Sequence, residues 1–303
     1  MFAFLAKQDL THLVLTDADN YWFLLNRSPL RHLKIVAAHH AALEPAFGRN
    51  GPVHAILHKV NRHLFYRRIP AELLSASPLI SRQLVESCGG KGNQPELILP
   101  LYDRHLFEDV FQRYQPLKSS PFGILFAGRI VDNKGVFDLL DATELAERSV
   151  GASFHLHYAG DGPHLQQLRD EVIRRGMQDR VTLYGYCGKQ ALLDLMQRSH
   201  AVVVPTRSEL VEGFAMICAE AILAGRPLIT SKVCPALELL QPAAIEAEPD
   251  DPASYAEALV ALATRPELLA KKRAATGPLR EQFFDPANSY GAKLKQALLR
   301  LGI

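Results

Sequence analysis

The sequence predicts an α/β protein built from two doubly wound parallel sheets, and two observations lead to this prediction. From about residue 122 onward, short apolar runs alternate with helical stretches, which is typical of a parallel sheet covered by helices on both faces. The first part of the chain repeats this alternation less regularly, and 303 residues are enough for two ordinary domains. We therefore expect two Rossmann-like domains, at residues 1–117 and 118–303, joined by a linker at about 115–121 that is rich in proline and serine.

The second domain supplies strands and helices in regular alternation. Its predicted strands lie at 122–126, 154–158, 181–184, 201–204 and 227–230. Its predicted helices cover 136–148, 163–175, 189–198 and 214–223. A further helix opens at Asp251, where an Asp N-cap precedes a proline. Ligands of such sheets gather at the C-terminal ends of the strands, so the loops there are the first candidates for a site.

The first domain is less regular. Four short strands are predicted, at 12–15, 34–37, 73–75 and 97–99, together with a helix at 53–67. A Rossmann-like domain normally opens with a strand and a glycine-rich turn, and the first residues show neither. We therefore expect this domain to lack its opening part. The final helix, at 288–301, is expected to cross back toward it.

The composition disfavours several classes of protein. Hydrophobic residues make up 48% of the chain and charged residues 22%, and the formal net charge is +2. This charge rules out neither a nucleic-acid nor a membrane-surface partner, but it supplies no strong field for either, and we expect no nucleic-acid partner. The four cysteines stand apart without a C-x-x-C pair, which argues against a disulfide framework or a zinc site and favours a reducing cytoplasm. No metal site and no membrane-spanning run are expected.

The loop after the first strand of the second domain carries a candidate anion site. Gly128 and Arg129 follow the strand directly, and Lys134 stands five residues further on. Glycine permits a close backbone approach, and Arg with Lys suits a diphosphate. A solvated basic turn explains the same residues about equally well.

Two further loops are weaker candidates. Gly160 lies in the turn Ala-Gly-Asp-Gly-Pro, for which a simple turn into a helix is the favoured explanation. Tyr186 and Cys187 stand in a loop whose backbone could hydrogen-bond a nucleobase edge beside an aromatic ring, although a plain turn fits as well.

The strongest candidate follows the strand at 201–204. Glu212 lies in the loop and Glu220 stands about two turns into the next helix. Gly213, Phe214 and Ala215 lead into that helix, whose N-terminal N–H groups and dipole can seat a phosphate. A carboxylate at Glu220 can accept both hydrogen bonds of a ribose diol, and one at Glu212 can do so for sugar hydroxyls. The alternative is two ordinary acidic residues near a helix N-terminus.

Taken together, these four sites resemble the family 4 glycosyltransferases, which have the GT-B fold. The resemblance rests on GRIVDNKG, YAGDGP, VTLYGYCG and EGFAMICAEAILAGRPLITS, and it covers about residues 120–302. It implies a retaining transfer from a nucleotide-diphosphate sugar, with no bound metal and no other cofactor. Arg129 and Lys134 would hold the donor diphosphate and stabilise its developing charge.

The resemblance also implies roles for other residues. Glu220 would bind the ribose, while Glu212 and the backbone after it would contact the transferred sugar and the phosphates. KIVAAHH resembles a strand that ends in a histidine touching the donor sugar. That role falls to His40 by register, with His39 as its rival. Glu209 rivals Glu212 because the loop is longer than usual, and the methyl of Ala215 stands where glycine is frequent.

The acceptor is expected to be a glycan or a lipid-linked glycan. The stretch at 54–68 is basic and amphipathic, so it could lie on an anionic membrane at the cytoplasmic face. A half-buried helix with a solvated basic face explains it better. A non-catalytic or partner-dependent nucleotide-sugar-binding subunit is the alternative to a transferase. An oxidoreductase is disfavoured because no G-x-G-x-x-G follows any strand.

Overall fold

The computed structural model describes residues 10–16, 22–26, 30–43, 52–67, 70–113, 121–151 and 153–303. The chain forms two compact units. The first unit contains residues 1–101, 211–214 and 285–303, and the second contains residues 102–210 and 215–284. The predicted linker at 115–121 lies almost wholly outside the described residues.

The described part of the first unit contains one parallel sheet in the order β1-β2-β3-β4. Its strands are β1 His12–Thr16, β2 Lys34–His39, β3 Pro70–Ser75 and β4 Glu96–Leu97. Its helices are α1 Pro52–Asn61, which continues as a π-helical turn over Arg62–Tyr66, then α2 Pro78–Ser87, and, from the end of the chain, α11 Tyr290–Arg300. A strand is found at each of the four predicted places, although β4 covers Glu96–Leu97 rather than 97–99.

The core of the first unit lies between this sheet and its helices. Ile35, Leu74 and Ile80 are among its buried members. α2 begins sharply because the Ser77 side chain accepts a hydrogen bond from the Ile80 N–H and a proline takes the first helical position. α11 contributes the buried Ala297 to the same core, so the end of the chain belongs to this unit.

The second unit contains a six-stranded parallel sheet in the order β10-β9-β8-β5-β6-β7. Its strands are β5 Phe122–Ala127, β6 Phe154–Ala159, β7 Val181–Gly185, β8 Ala201–Val204, β9 Leu228–Thr230 and β10 Ala244–Glu246. Its helices are α3 Arg104–Gln112, α4 Val136–Val150, α5 Leu165–Arg174, α6 Lys189–Arg198, α7 Met216–Leu223, α8 Ala236–Leu240, α9 Pro252–Thr264 and α10 Pro266–Arg280.

The chain reverses its direction across this sheet between β5 and β8. It builds β5, β6 and β7 toward one edge and then returns to place β8 on the other side of β5. Right-handed crossovers put α4 and α5 on one face and α6, α7 and α8 on the other. The result is a doubly wound sheet whose topological switch point lies between β5 and β8, where ligands of such folds bind.

Two of the boundaries that differ from the predictions have a clear physical reason. α7 begins at Met216 rather than at 214, because Ala215 has a φ of 59° and a left-handed residue cannot continue a right-handed helix. The division between the units falls after Leu101 rather than at residue 117. α3 groups with the second unit because its Glu108 pairs with the buried Arg280 of α10.

Candidate functional site

The C-terminal edge of the second sheet brings four loops side by side. They follow β5, β6, β7 and β8, and the loops after β5 and β8 flank the switch point. Seven of the candidate residues lie in these loops or in the helices that follow them: Arg129, Lys134, Gly160, Tyr186, Cys187, Ala215 and Glu220. The topology therefore puts these residues after the C-terminal ends of the strands, and their roles in ligand binding stay predictions.

The turn after β5 packs closely against the loop after β8, and this close approach requires a glycine. Residues Asp132–Lys134 form a 3-10 turn, and Gly135 follows with a φ of 69°. A Cβ on Gly135 would stand 2.0 Å from the Pro205 carbonyl oxygen, so only glycine fits here. Arg129 is exposed and Lys134 is half-buried. The turn therefore offers two cations on a backbone that has little room to shift.

The loops after β5 and β6 are bonded through their backbones. The Gly128 N–H donates to the Ala159 carbonyl at 3.0 Å, and the Ile130 N–H donates to the Asp161 carbonyl at 2.9 Å. A Cβ on Gly160 would lie 1.8 Å from the Gly128 carbonyl oxygen. Gly160 thus serves close backbone packing, in line with the simple turn that the sequence analysis favoured here.

The loop after β7 presents an aromatic side chain to solvent. The Tyr186 side chain is 84% exposed. Cys187 is half-buried, its Sγ atom lies 3.6 Å from the Gly185 carbonyl oxygen, and burial raises the pKa of its thiol. The Gly160 N–H donates to the same Gly185 carbonyl at 2.7 Å, which joins this loop to the one after β6.

Arg207, which the sequence analysis did not single out, ties the loop after β8 to its surroundings. Its Nη1 donates to Asp132 Oδ2 at 3.0 Å, and its Nε lies 3.6 Å from Asp138 Oδ2. Its backbone N–H donates to the Asn133 carbonyl at 3.0 Å. Next to it, the Ser208 N–H and hydroxyl both donate to the Asp250 carboxylate. These bonds fix the loop after β8 against the turn that carries Lys134.

Glu220 lies on α7 beside a tyrosine that the sequence analysis also missed. The Tyr102 hydroxyl donates to Glu220 Oε1 at 3.4 Å. Burial raises the pKa of the Glu220 carboxyl above its ordinary value, while the Tyr102 hydrogen bond and the positive charge of Lys189 oppose this shift. The pKa of Tyr102 is raised well above its ordinary value, first by its own burial and then by the Glu220 charge. Glu220 is therefore a partly desolvated carboxylate with one hydrogen-bond donor from protein.

In the first unit, the two adjacent histidines occupy different environments. His39 is fully buried, packs against Trp22 at 5.4 Å between ring centroids, and lies 3.4 Å from the Tyr66 hydroxyl. Burial, with His40 next to it, lowers the pKa of His39 to about 3. His40 follows the end of β2, is exposed, and packs edge-on against Tyr290. Of the two, only His40 is accessible to a ligand, and its role in sugar contact stays a prediction.

Gly213 also lies in the first unit. A Cβ on Gly213 would stand 2.2 Å from the His40 carbonyl oxygen, so glycine is required by close approach and not by a left-handed φ. Glu212 is half-buried and Phe214 is 6% exposed. Glu209, the rival of Glu212, is exposed in the second unit. The roles assigned to these residues stay predictions.

Two further features concern metals and membranes. Across the described ranges, no three or more His, Cys, Asp or Glu side chains are arranged to hold a metal ion. None of the helices in the described part of the chain has the length and apolarity needed to cross a membrane.

Solved structures similar to this chain show the fold. Anabaena Alr3699/HepE, crystallised with UDP, has a TM-score of 0.72 and 18% identity over 96% of this chain and 79% of that chain. The lipopolysaccharide outer core galactosyltransferase WaaB has a TM-score of 0.70 and 19% identity over 99% of this chain and 78% of that chain. The predicted fold class is confirmed: two parallel α/β units of the GT-B kind.

Curated relatives match part of the chain. Mannosylfructose-phosphate synthase of Agrobacterium fabrum is 28% identical over 185 residues, which cover 57% of this chain and 40% of that protein. Alpha-D-kanosaminyltransferase of Streptomyces kanamyceticus is 32% identical over 111 residues, which cover 36% of this chain and 28% of that protein. The matched part therefore spans less than half the length of these relatives.

The family itself is shown by a match to a family profile. Residues 108–277, more than half of the chain, match the family profile described as glycosyl transferases group 1. The matched range contains the loops after β5, β6, β7 and β8 together with α7. This chain therefore belongs to the glycosyl transferases group 1 family.

Proposed function

We propose that this protein is a retaining, family 4 hexosyltransferase that moves a sugar from a nucleotide-diphosphate sugar to a glycan or lipid-linked acceptor. The observation that carries the proposal is the doubly wound sheet of the second unit. Its switch point is flanked by a basic turn after β5, and a desolvated carboxylate stands on α7, which follows the loop after β8. A nucleotide-diphosphate sugar presents a diphosphate, a ribose and a sugar at such a switch point. Cations and helix N–H groups suit the diphosphate, and a carboxylate suits the ribose hydroxyls.

In this proposal the reaction breaks the bond between the anomeric carbon and the diphosphate oxygen. An acceptor hydroxyl oxygen forms the new bond on the same face of the sugar, and its proton passes to the departing phosphate. Arg129 and Lys134 stabilise the charge that develops on the leaving diphosphate, without a bound metal ion. Glu220 accepts the ribose hydroxyls, and Glu212 with the backbone of Gly213 contacts the sugar.

Uridine diphosphate (UDP) is the first nucleoside diphosphate to test as a ligand. Anabaena HepE was crystallised with UDP and with UDP-glucose, and it is 18% and 19% identical to this chain in those structures. Alanine at Arg129 or Lys134 should weaken UDP binding about 10- to 100-fold, the worth of one charge-assisted hydrogen bond. Isothermal titration with UDP, ADP and GDP measures the affinities and the base preference together.

Arg169→Ala is the matched control, because Arg169 is an exposed arginine of α5 outside these loops. Unchanged UDP affinity in both site variants would sink the proposal. Turnover of the preferred nucleotide sugar, with the product anomer read by NMR, then tests retention. Binding without turnover would instead support a non-catalytic or partner-dependent nucleotide-sugar-binding subunit.

The same proposal includes peripheral contact of the first unit with the cytoplasmic face of a membrane that carries the acceptor. α1 exposes Val53 at 69% and Ile56 at 62%, with the exposed Lys59 on the same helix. Apolar side chains beside a cation suit an anionic lipid surface. Sedimentation with vesicles of phosphatidylglycerol and phosphatidylcholine tests this, and Val53→Ser with Ile56→Ser should reduce the bound fraction.

A further inference from the structure

Two cysteines of the second unit are in contact in its interior. Cys218 belongs to α7 and Cys234 to the turn after β9, and their Sγ atoms are 3.6 Å apart. Their side chains are 0% and 1% exposed, and neither cysteine is in a disulfide. The fold brings them together because β9 lies beside β8, whose following loop leads into α7.

The two sulfur atoms are in contact without a bond between them. An S–S bond is about 2.05 Å long, so the two sulfur atoms must approach by about 1.5 Å. Each cysteine lies in a short hydrogen-bonded turn. The Cys218 N–H donates to the Ala215 carbonyl at 2.8 Å, and the Cys234 N–H donates to the Ser231 carbonyl at 3.0 Å. We expect bond formation to draw the first turn of α7 toward the turn after β9.

The first turn of α7 stands next to the carboxylate of the proposed ribose site. Glu220 lies two residues after Cys218, and its Oε1 accepts the Tyr102 hydrogen bond. Cys218 is also near enough to Tyr102 to contribute to its raised pKa. A displacement of Cys218 is thus transmitted both along the helix to Glu220 and across to Tyr102.

We propose that Cys218 and Cys234 form a reversible disulfide when the protein meets a peroxide, and that this bond weakens nucleoside diphosphate binding by displacing α7. The effect on binding rests on the function proposed above. The formation of the bond does not, because it depends only on the contact between the two sulfur atoms.

The chemistry balances with hydrogen peroxide as the oxidant. One thiol is oxidised to a sulfenic acid as the peroxide is reduced, and one water leaves. The sulfur of the second thiol then attacks the sulfenic sulfur, which forms the S–S bond and releases a second water. A small neutral oxidant is required because both thiols are buried. An external dithiol reverses the bond by thiol–disulfide exchange.

The first experiment detects the bond. The full chain with Cys88→Ser and Cys187→Ser retains only the buried pair. After peroxide treatment and quenching, the protein is denatured and alkylated with iodoacetamide, and its intact mass is measured. We expect no alkylated cysteine, and two after reduction with dithiothreitol. Two alkylated cysteines without reduction would overturn the proposal. Peptide mapping of the oxidised wild-type chain gives the same answer should the double variant fold poorly.

The second experiment measures the consequence by titration with UDP. The oxidised protein should bind UDP about tenfold more weakly than the reduced protein, and dithiothreitol should restore the affinity. Cys234→Ser, which cannot form the bond, should keep its affinity after peroxide. Equal affinity of the oxidised and reduced forms would refute the coupling to α7. If the reduced protein binds no nucleoside diphosphate, the proposed function fails while the mass result still decides whether the bond forms.

Discussion

Arg207 Nη1 lies 3.0 Å from Asp132 Oδ2 and thereby joins the loop after β8 to the 3-10 turn that carries Lys134. The Asn133 carbonyl accepts the Arg207 N–H from the same side. Burial of Arg207 opposes its protonation, but the carboxylates of Asp138 and Asp132 outweigh this and raise its pKa. Arg207 therefore helps to set the relative position of these two loops at the switch point.

Arg207→Ala should loosen the turn after β5 and weaken UDP binding about fivefold, because part of the binding energy must then order the turn. The unfolding free energy should fall by about 1 kcal/mol, as expected for a partly exposed ion-pair network. Titration calorimetry and urea denaturation measure the two effects.

Arg113→Ala is the control for this variant, since Arg113 pairs with Asp109 on the surface and both side chains are 73% exposed. It should change neither quantity measurably. A loss of stability in Arg207→Ala with unchanged UDP affinity would show that the turn holds its position without the arginine.

Glu220→Gln should make the protein more stable and less able to bind UDP. Burial raises the pKa of the carboxyl in the folded state, so the unfolded state loses its proton first as the pH rises. The native state is therefore destabilised as the pH rises from about 4.5 through the folded pKa. The stability gained by the amide should grow over the same range and persist at pH 7.

Urea denaturation at pH 4 and pH 7 measures this gain, and UDP affinity should fall about tenfold or more at pH 7. Glu257→Gln, at an exposed position of α9, is the control and should alter neither. A variant that is no more stable at pH 7 than at pH 4, relative to wild type, would contradict the role of burial.

His39→Leu should make the first unit less sensitive to acid. The folded pKa of about 3 lies below the ordinary value of 6.5, so only the unfolded state binds the proton between these values. Stability is therefore lost as the pH falls from 6.5 toward 3. At pH 4.5 this histidine should account for roughly 2–3 kcal/mol of the loss.

The fluorescence of Trp22, the single tryptophan, follows this transition because its ring packs against His39. His39→Leu should cost about 1–3 kcal/mol at pH 7, since the Tyr66 hydroxyl loses a neighbour, yet lose less than wild type on acidification. His40→Asn should keep the wild-type acid sensitivity. Equal acid sensitivity of wild type and His39→Leu would contradict the assignment.

Ala215→Gly should raise the unfolding free energy by roughly 0.5–1 kcal/mol. The left-handed φ of 59° strains an alanine, and the relief outweighs the extra entropy that glycine loses on folding. Ala261→Gly, in the interior of α9, should instead cost about 1 kcal/mol. Thermal unfolding of both variants measures the difference, and the same sign in both would contradict strain at Ala215.

Most strands of the second unit, and the loops that carry the candidate site, could be placed from the sequence because both depend on local patterns. Buried parallel strands appear as apolar runs, and the loops after them reach the same edge of the sheet whatever their sequence. β10 was missed because Ala244–Glu246 is only three residues long and too short to show a strand pattern.

Contacts between distant parts of the chain could not be predicted in this way. Tyr102 reaches Glu220 across 118 positions and Arg207 reaches Asp132 across 75. The residues next to Tyr102 and Arg207 in the sequence carry no signal of these distant partners. The start of α7 was misplaced because an alanine gives no hint in the sequence that it adopts a left-handed conformation.

The glycines along the edge of the second sheet divide its surface into parts that can and cannot be redesigned. Gly135, Gly160 and Gly162 each face a backbone carbonyl oxygen at a distance that excludes any side chain. A mutant library aimed at a new donor sugar or base should leave these three unchanged and diversify the exposed Tyr186 and its half-buried neighbour Cys187. Selectivity for the donor can then be varied while the backbone of these loops stays the same in every library member.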